Sequence, residues 1–100
     1  MFREDDYLDP EEPSVSVEAV RNGCTWAGSL YQRKTGGFDL FYDHENSDFK
    51  PLDVSKITAL RHEAERGANF VAHLEPERNR KVLLETAKQC LLDWVITRVG

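Results

Sequence analysis

His62-Glu63 has the clearest potential for chemistry in this sequence, because it begins the His-Glu-x-x-His pattern of zinc metalloproteases. In that pattern two histidines one helical turn apart hold the metal, and the glutamate acts on a bound water. Here Arg66 takes the place of the second histidine, and His73 lies about three helical turns farther along the chain. We therefore predict no metal site and no cofactor.

Serine and cysteine residues give no support for nucleophilic catalysis either. No serine lies in a Gly-x-Ser-x-Gly turn, and neither Cys24 nor Cys90 has a histidine or a basic residue beside it in the sequence. The two cysteines fit no metal-binding spacing and are predicted to be reduced thiols, although spacing alone leaves a disulfide open. We predict that the chain is not an enzyme and has no catalytic residues.

Charge is distributed unevenly along the 100 residues, which carry a formal net charge of −5. Residues 1–13 contain six acids and one arginine, whereas residues 14–100 contain 12 acids and 12 basic residues. Because the body is neutral, direct binding to nucleic acid through its phosphates is not favoured. No apolar run is long enough to cross a bilayer, and the acidic start lacks the apolar region of a secretory signal. We therefore expect a cytoplasmic protein without membrane contact.

Residues 1–13 are predicted to form a disordered acidic arm outside the folded core, since Pro10 and Pro13 disfavour a helix around Glu11-Glu12. Aromatic and apolar residues nevertheless lie among the acids. One interpretation is a docking segment that meets a basic surface on a protein partner, and the other is a tail that only solubilises. The docking interpretation gives eight candidate partner-binding residues in the arm: Phe2, Asp5, Asp6, Tyr7, Leu8, Asp9, Glu11 and Glu12.

From Ser14 onward the apolar residues alternate with a period of two, which is typical of a strand with one buried face. Asn22-Gly23 is the preferred pair of a type I′ hairpin turn, because both residues tolerate positive φ. This turn predicts a hairpin with strands over 14–21 and 24–32. Its register pairs Arg21 with Cys24, Ala19 with Trp26, Val17 with Gly28 and Val15 with Leu30.

A second glycine-containing loop precedes a third strand, predicted over about residues 38–43. Asp53 or Ser55 is the predicted N-cap of a helix over 54–73, which Gly67 could divide. A last helix is predicted over 76–99, with its proline in the first turn. The sequence thus predicts an α+β fold: a three-stranded antiparallel β-meander followed by two α-helices packed on one face. Residues 14–100 are expected to form a single domain.

The third predicted strand carries an aromatic residue on both of its alternating faces, so Phe41 or Tyr42 is expected to remain exposed. Exposed aromatic patches mark many interfaces. The alternative is that Phe41 packs under the arm or a helix. On the first interpretation four further residues are candidates for partner binding: Phe41, Tyr42, Asp43 and Glu45.

Residues 35–43, Thr-Gly-Gly-Phe-Asp-Leu-Phe-Tyr-Asp, resemble the Gly-Gly-aromatic strand of HicB-type antitoxins. The resemblance covers nine residues of mostly generic hairpin chemistry, and the two predicted C-terminal helices depart from the pattern. It therefore implies no function by itself.

Small size, an acidic arm and surplus aromatic residues together favour a non-enzymatic protein-binding module that regulates or inhibits a larger protein or nucleoprotein assembly. Small acidic proteins of phages and mobile elements, including inhibitors of host defence, are of this general type. An antitoxin-like or DNA-binding transcriptional regulator is the competing interpretation, and a contiguous basic face would favour it. The sequence leaves the oligomeric state open.

Overall fold

The chain forms one antiparallel sheet and two α-helices in a computed structural model that describes residues 2–49 and 52–99. Met1 and Gly100, at the outer ends of the two predicted segments, lie outside the described residues. Neighbouring strands follow chain order, β1-β2-β3-β4. The α+β class is confirmed, and the predicted number of three strands is wrong by one. The elements are β1 (Val15–Arg21), β2 (Cys24–Gln32), β3 (Phe38–Asp48), α1 (Val54–Glu65), β4 (Phe70–Leu74) and α2 (Arg80–Val99), after a 3-10 turn at Glu4–Asp6.

The hairpin of β1 and β2 has the predicted register. Asn22 and Gly23 have φ angles of 53° and 78°, as a type I′ turn requires. Every predicted pair is present, as far as Val15 opposite Leu30. The turn residues and the alternation therefore suffice to place the buried face of both strands.

The first helix is shorter than predicted, because a strand takes up the end of the segment expected to be helical, residues 54–73. Gly67 has a φ of 78° and ends α1. Its amide donates to the Ala64 carbonyl, and the Ala68 amide donates to the Glu63 carbonyl, both at 3.0 Å. This is the geometry of a Schellman motif. The prediction of one helix over this segment is therefore wrong, and the residues after Gly67 form β4 beside β3.

Both helices begin at side-chain caps. Asp53, one of the two predicted caps of α1, accepts a hydrogen bond from the Ser55 amide at 2.9 Å. α2 begins at Arg80 and not at the predicted Pro76, because Asn79 Oδ1 accepts from the amide two residues later at 3.0 Å. Asparagine fixes the start because it satisfies an amide that would otherwise lack a partner inside the helix.

One face of the sheet packs against α2 and forms the core. Leu30 of β2, Leu40 of β3 and Leu91 of α2 are fully buried there. Burial of each such side chain contributes roughly 1.5–3 kcal/mol. α1 joins the same core through Leu60 and contacts the sheet at β3. Of the two helices predicted to pack on this face, α2 therefore covers most of it.

The N-terminal segment (residues 2–8) packs on the opposite face of the sheet, and its predicted disorder is not confirmed. Tyr7 is only 3% exposed. The next amide, that of Leu8, donates to the Gln32 carbonyl at 3.0 Å. Because β1 begins opposite Leu30, the end of β2 has an open edge, and the N-terminal segment occupies it. Residues at the start of the chain therefore belong to the fold.

Gly37→Ala is expected to destabilise the fold more than Gly67→Ala, although the two glycines have almost the same φ, 77° and 78°. A Cβ at Gly37 would lie 2.5 Å from the Leu74 carbonyl oxygen, whereas a Cβ at Gly67 would meet nothing within 4 Å. Substitution of Gly67 should therefore cost only the left-handed backbone, roughly 1–2 kcal/mol. Substitution of Gly37 should cost about 2 kcal/mol more, because β4 must shift. Urea denaturation measures both, and equal losses would contradict this expectation.

Candidate functional site

Five aromatic side chains form a cluster on the face of the sheet opposite α2. Phe2 stacks on Tyr7 with ring centroids 4.7 Å apart. The Phe2 ring also lies 5.0 Å from Tyr31 and 5.5 Å from Phe41, both edge-on. Phe70 of β4 lies 5.6 Å from Phe41. These five residues, the aromatic cluster, attach the N-terminal segment to the sheet through ring contacts of favourable geometry.

A buried carboxylate holds Tyr7 in this position. Asp39 is 4% exposed. Tyr7 Oη and Arg33 Nη1 each donate to Asp39 Oδ2 at 2.7 Å, and His73 Nδ1 lies 2.8 Å from Oδ1. These four residues, the Asp39 network, join the N-terminal segment, the loop between β2 and β3, β3 itself and β4.

Hydrogen bonding keeps Asp39 ionised despite its burial. Burial alone would raise the pKa of Asp39, but the hydrogen bonds from Tyr7, His73 and Arg33 outweigh it and hold the pKa below its ordinary value. Since an ionised carboxylate only accepts, His73 donates from Nδ1. Burial, followed by the bond to Asp39, raises the pKa of Tyr7. The network is therefore a satisfied structural connection that fixes where Phe2 lies.

An irregularity in β3 turns part of this strand out of the sheet. Between two paired positions, four residues of β3 stand opposite a single residue of β2. The Ser47 hydroxyl donates to the Asp43 carbonyl at 2.7 Å and accepts from the Ala27 amide at 3.0 Å, which stabilises the bulge. The bulge places His44 and Glu45 on the same groove as residues of α1.

This groove has a volume of about 550 Å³ and opens between the aromatic cluster, the bulge of β3 and α1. Aromatic rings form its floor and charged side chains its rim. Within the described residues none of the charged rim residues takes part in an ion pair. Three acids and one arginine give the rim a net negative charge. The groove is defined here by Phe2, Tyr31 and Phe41 on the floor, and by Asp43, Glu45, Arg61 and Glu65 on the rim.

The charges of two aspartates act on Tyr31 at one end of the groove. Burial, followed by the charges of Asp43 and Asp9, raises the pKa of Tyr31. Asp9 is itself held in place, because its carboxylate accepts from the Glu11 amide at 3.1 Å. Both aspartates therefore impose negative potential on the Tyr31 hydroxyl, and a cation is favoured there.

Tyr42 and His44, which both line the groove, form a neutral polar contact. Tyr42 Oη lies 2.8 Å from His44 Nδ1. Burial raises the pKa of Tyr42 to about 12. Burial, followed by the charge of Arg61, lowers the pKa of His44. At neutral pH Tyr42 thus donates to an uncharged imidazole, and neither residue changes the charge of the rim.

One of the eight residues predicted in the arm meets the four residues predicted on the third strand at the groove. Phe2 from the arm and Asp43 and Glu45 from β3 all line it. Phe2 is 41 or more positions from Asp43 and Glu45, and the sequence predicts contact between arm and strand only in the alternative in which Phe41 packs under the arm. The packing of the N-terminal segment on the sheet brings them together.

The expectation that Phe41 or Tyr42 remains exposed is wrong. Phe41 is 7% and Tyr42 2% exposed. Phe2 covers Phe41, as the alternative interpretation of packing under the arm requires. On the other face Trp94 of α2 packs against Tyr42, with ring centroids 4.9 Å apart. The accessible part of Phe41 lines the groove and a second cavity beside Phe70 and His73.

The other predicted residues of the arm lie outside the groove. Tyr7 is buried in the aromatic cluster, so it cannot act as an exposed docking anchor. Asp6 lies 3.8 Å from Arg33 and supports the Asp39 network. Leu8 is 61% exposed. Asp5, Glu11 and Glu12 are exposed, and Asp9 acts on Tyr31.

Sequence reasoning missed Tyr31, Arg61 and Glu65 as groove residues. The strand alternation places Tyr31 on the face opposite Leu30, so that residue could have been found. Arg61 and Glu65 could not, because no local signal joins α1 to the bulge of β3. The Asp39 network was missed as well, although a charged residue within an apolar strand is a signal of a buried polar contact.

Comparisons with known proteins do not indicate a function for this chain, so a functional assignment depends on the groove. The chain matches no protein-family model, and neither the curated proteins nor the solved structures include a significant match. In residues 2–49 and 52–99 no three histidine, cysteine, aspartate or glutamate side chains are grouped as metal ligands would be. No helix in that part of the chain is long and apolar enough to cross a membrane.

Proposed function

We propose that this chain is a small non-enzymatic protein-binding module of the cytoplasm, which regulates or inhibits a larger protein or nucleoprotein assembly by occupying a basic surface on it. The groove carries this proposal, because an aromatic floor lies inside a rim of net negative charge. Aromatic surface contributes binding energy when it is desolvated, and a charged rim selects partners of opposite sign.

The surface around the groove supports the same function. Phe70 of the aromatic cluster is 43% exposed, and Leu8, next to Tyr7 in the chain, is 61% exposed. The Asp39 network already holds the N-terminal segment in position, so binding requires little further ordering of this surface. A preorganised surface loses less entropy when a partner docks.

Acidic residues near the start of the chain extend the attraction beyond the groove. Glu11 and Glu12 are exposed beside Asp9, whose carboxylate accepts from both of their amides. Such charges speed encounter with a basic surface and lose effect as salt is added. Both cysteines are free thiols, which fits the reducing environment of the cytoplasm.

The double variant Glu45→Gln, Glu65→Gln is expected to lose most partner binding, since it removes two unpaired acids from the rim. Each exposed ion pair with the partner contributes up to about 1 kcal/mol, so the affinity should fall roughly tenfold. Wild type and variant are immobilised and compared for capture of proteins from lysate of the source cells, with and without nuclease treatment. The matched control is Glu77→Gln, Glu85→Gln, which makes the same charge change at exposed residues outside the groove.

The control should capture the same proteins as the wild type, and thermal unfolding should show that all three proteins are folded. Equal capture by the groove variant and the control contradicts the proposal. Capture that disappears on nuclease treatment would make the chain a nucleic-acid-binding protein instead.

A further inference from the structure

One end of the groove combines aromatic rings with the negative charge of two aspartates. The rings of Phe2 and Phe41 lie 5.0 and 5.8 Å from that of Tyr31, both edge-on. Asp43 lines the groove beside these rings, and its carboxylate accepts from the Asn46 amide at 3.3 Å and from Asn46 Nδ2 at 2.6 Å. The charge of Asp9 acts on the Tyr31 hydroxyl. Neither aspartate forms an ion pair within the described part of the chain.

We propose that the Tyr31 end of the groove binds an arginine side chain of the partner protein, with its guanidinium against the aromatic floor and within reach of Asp43. This inference rests on the proposed function, because it names the group by which a basic partner is held. The faces of aromatic rings attract cations, and a carboxylate adds a charge-assisted hydrogen bond.

A guanidinium fits this end of the groove better than the ammonium group of lysine. It is planar, so it stacks on the face of a single ring such as that of Tyr31. It is also more weakly hydrated and offers several donors in a fixed plane, which suits a site with a carboxylate in its lining. The volume of about 550 Å³ lies in the range of small-ligand sites and has room for one long side chain with its neighbouring backbone.

Arg61 on the α1 side of the rim limits the site to a single cation. It takes part in no ion pair within residues 2–49 and 52–99, so its positive charge opposes a second basic side chain at that end. Its donors are available to carbonyl oxygens of the bound segment. The groove therefore suits a segment with one arginine followed by uncharged residues, and a run of several basic residues fits it less well.

The test is a titration of the full chain with three blocked pentapeptides of sequence Gly-Ser-X-Ser-Gly, in which NMR signals of the chain are recorded at each peptide concentration. X is arginine, citrulline or lysine; citrulline has nearly the shape of arginine but no charge. The arginine peptide should shift the ring signals of Tyr31 and Phe41 and should bind roughly tenfold more tightly than the citrulline peptide. Equal affinity for arginine and citrulline overturns the inference. Equal affinity for arginine and lysine, or shifts that avoid these rings, also overturns it.

Asp9→Asn provides a matched variant, because asparagine keeps an oxygen that can accept from the Glu11 and Glu12 amides but loses the charge. It should weaken binding of the arginine peptide several-fold and leave the citrulline peptide unchanged. Glu12→Gln, the same charge change three residues away, should have little effect. Equal weakening by the two variants would show general attraction without a site at Tyr31.

The failure of this inference can be told from failure of the proposed function. If arginine and citrulline peptides bind equally while Glu45→Gln, Glu65→Gln still loses partner capture, only the arginine site is wrong. If that variant captures partners as the wild type does, the proposed function is wrong, whatever the peptides show.

Discussion

Trp94→Ala is expected to lower the free energy of unfolding by roughly 3–5 kcal/mol. Trp94 is 8% exposed, and its ring lies 4.9 Å from that of Tyr42 in the core beneath the sheet. On its outer side the guanidinium of Arg98 lies 3.9 Å from the ring. The indole N–H has no hydrogen-bond partner among the described atoms. The expected loss is therefore one of packing and not of a hydrogen bond.

Ile96→Ala is the control for this prediction, because Ile96 lies on the same helix and is 38% exposed. It should cost about 1 kcal/mol or less, since less apolar surface is removed from contact. Urea denaturation followed by far-UV circular dichroism measures both variants without relying on tryptophan emission. If Trp94→Ala unfolds at the same urea concentration as the wild type, Trp94 is a surface residue and does not belong to the core beneath the sheet.

Local signals predicted the hairpin and its register. Asn22-Gly23 accepts the positive φ angles of a type I′ turn, and a two-residue turn leaves only one alignment of the flanking strands. The alternation of apolar residues independently requires the same alignment, with Val17 and Trp26 on the buried face. Two local constraints that agree make a secure prediction.

The segment after Glu65 shows where such reasoning fails. Ala64, Ala68 and Val71 recur at helical spacing, which predicts one helix through the segment. The Schellman motif at Gly67 ends that helix, and the residues beyond it are stabilised by pairing with β3, a strand that lies about 30 residues earlier in the chain. Strand pairing at that separation leaves no local mark in a five-residue segment.

The order of the N-terminal segment could not be predicted for a similar reason. The predicted arm to which it belongs, residues 1–13, is rich in acids and contains two prolines, a composition typical of disordered chain. A single buried contact, from Tyr7 to Asp39 32 residues away, overrides that composition. The groove depends on the same contact, since Phe2 reaches Phe41 only when the segment is packed on the sheet. The candidate residues were therefore predictable one by one, whereas the site that they form was not.

Asp39→Ala is expected to lower the free energy of unfolding by about 3 kcal/mol, the lower end of the range for breaking a buried ion pair. The lower end applies because Arg33 and His73 keep partly exposed side chains and regain water when the carboxylate is removed. Tyr7, which is buried, loses its acceptor. Urea denaturation gives the loss. Asp93→Ala, at an exposed acid on α2, is the control and should change stability by less than about 0.5 kcal/mol.

The positions of the amides that exchange faster in Asp39→Ala show whether Asp39 holds only the N-terminal segment or supports the whole fold. Without Asp39 the N-terminal segment should open, so hydrogen exchange should accelerate at the Leu8 amide, which donates to Gln32, and at the Lys34 amide, which donates to Asp6. The amides of the β1–β2 hairpin should keep their relative protection. Uniform acceleration across the sheet would show that Asp39 supports the whole fold and does not specifically hold the segment.

Lowering the pH should reduce the free energy of unfolding of the wild type more than that of the Asp39→Ala variant. The pKa of Asp39 in the folded state lies below its ordinary value, so its contribution to stability is fully present above about pH 4. That contribution is lost as the pH falls through the folded-state pKa, because the unfolded chain binds the proton more readily. The difference in unfolding free energy between the two proteins should therefore shrink as the pH is lowered from about 5 toward 2. A difference that stays constant over this range would mean that the charge of Asp39 does not hold the N-terminal segment, and that the floor of the groove is fixed by aromatic packing alone.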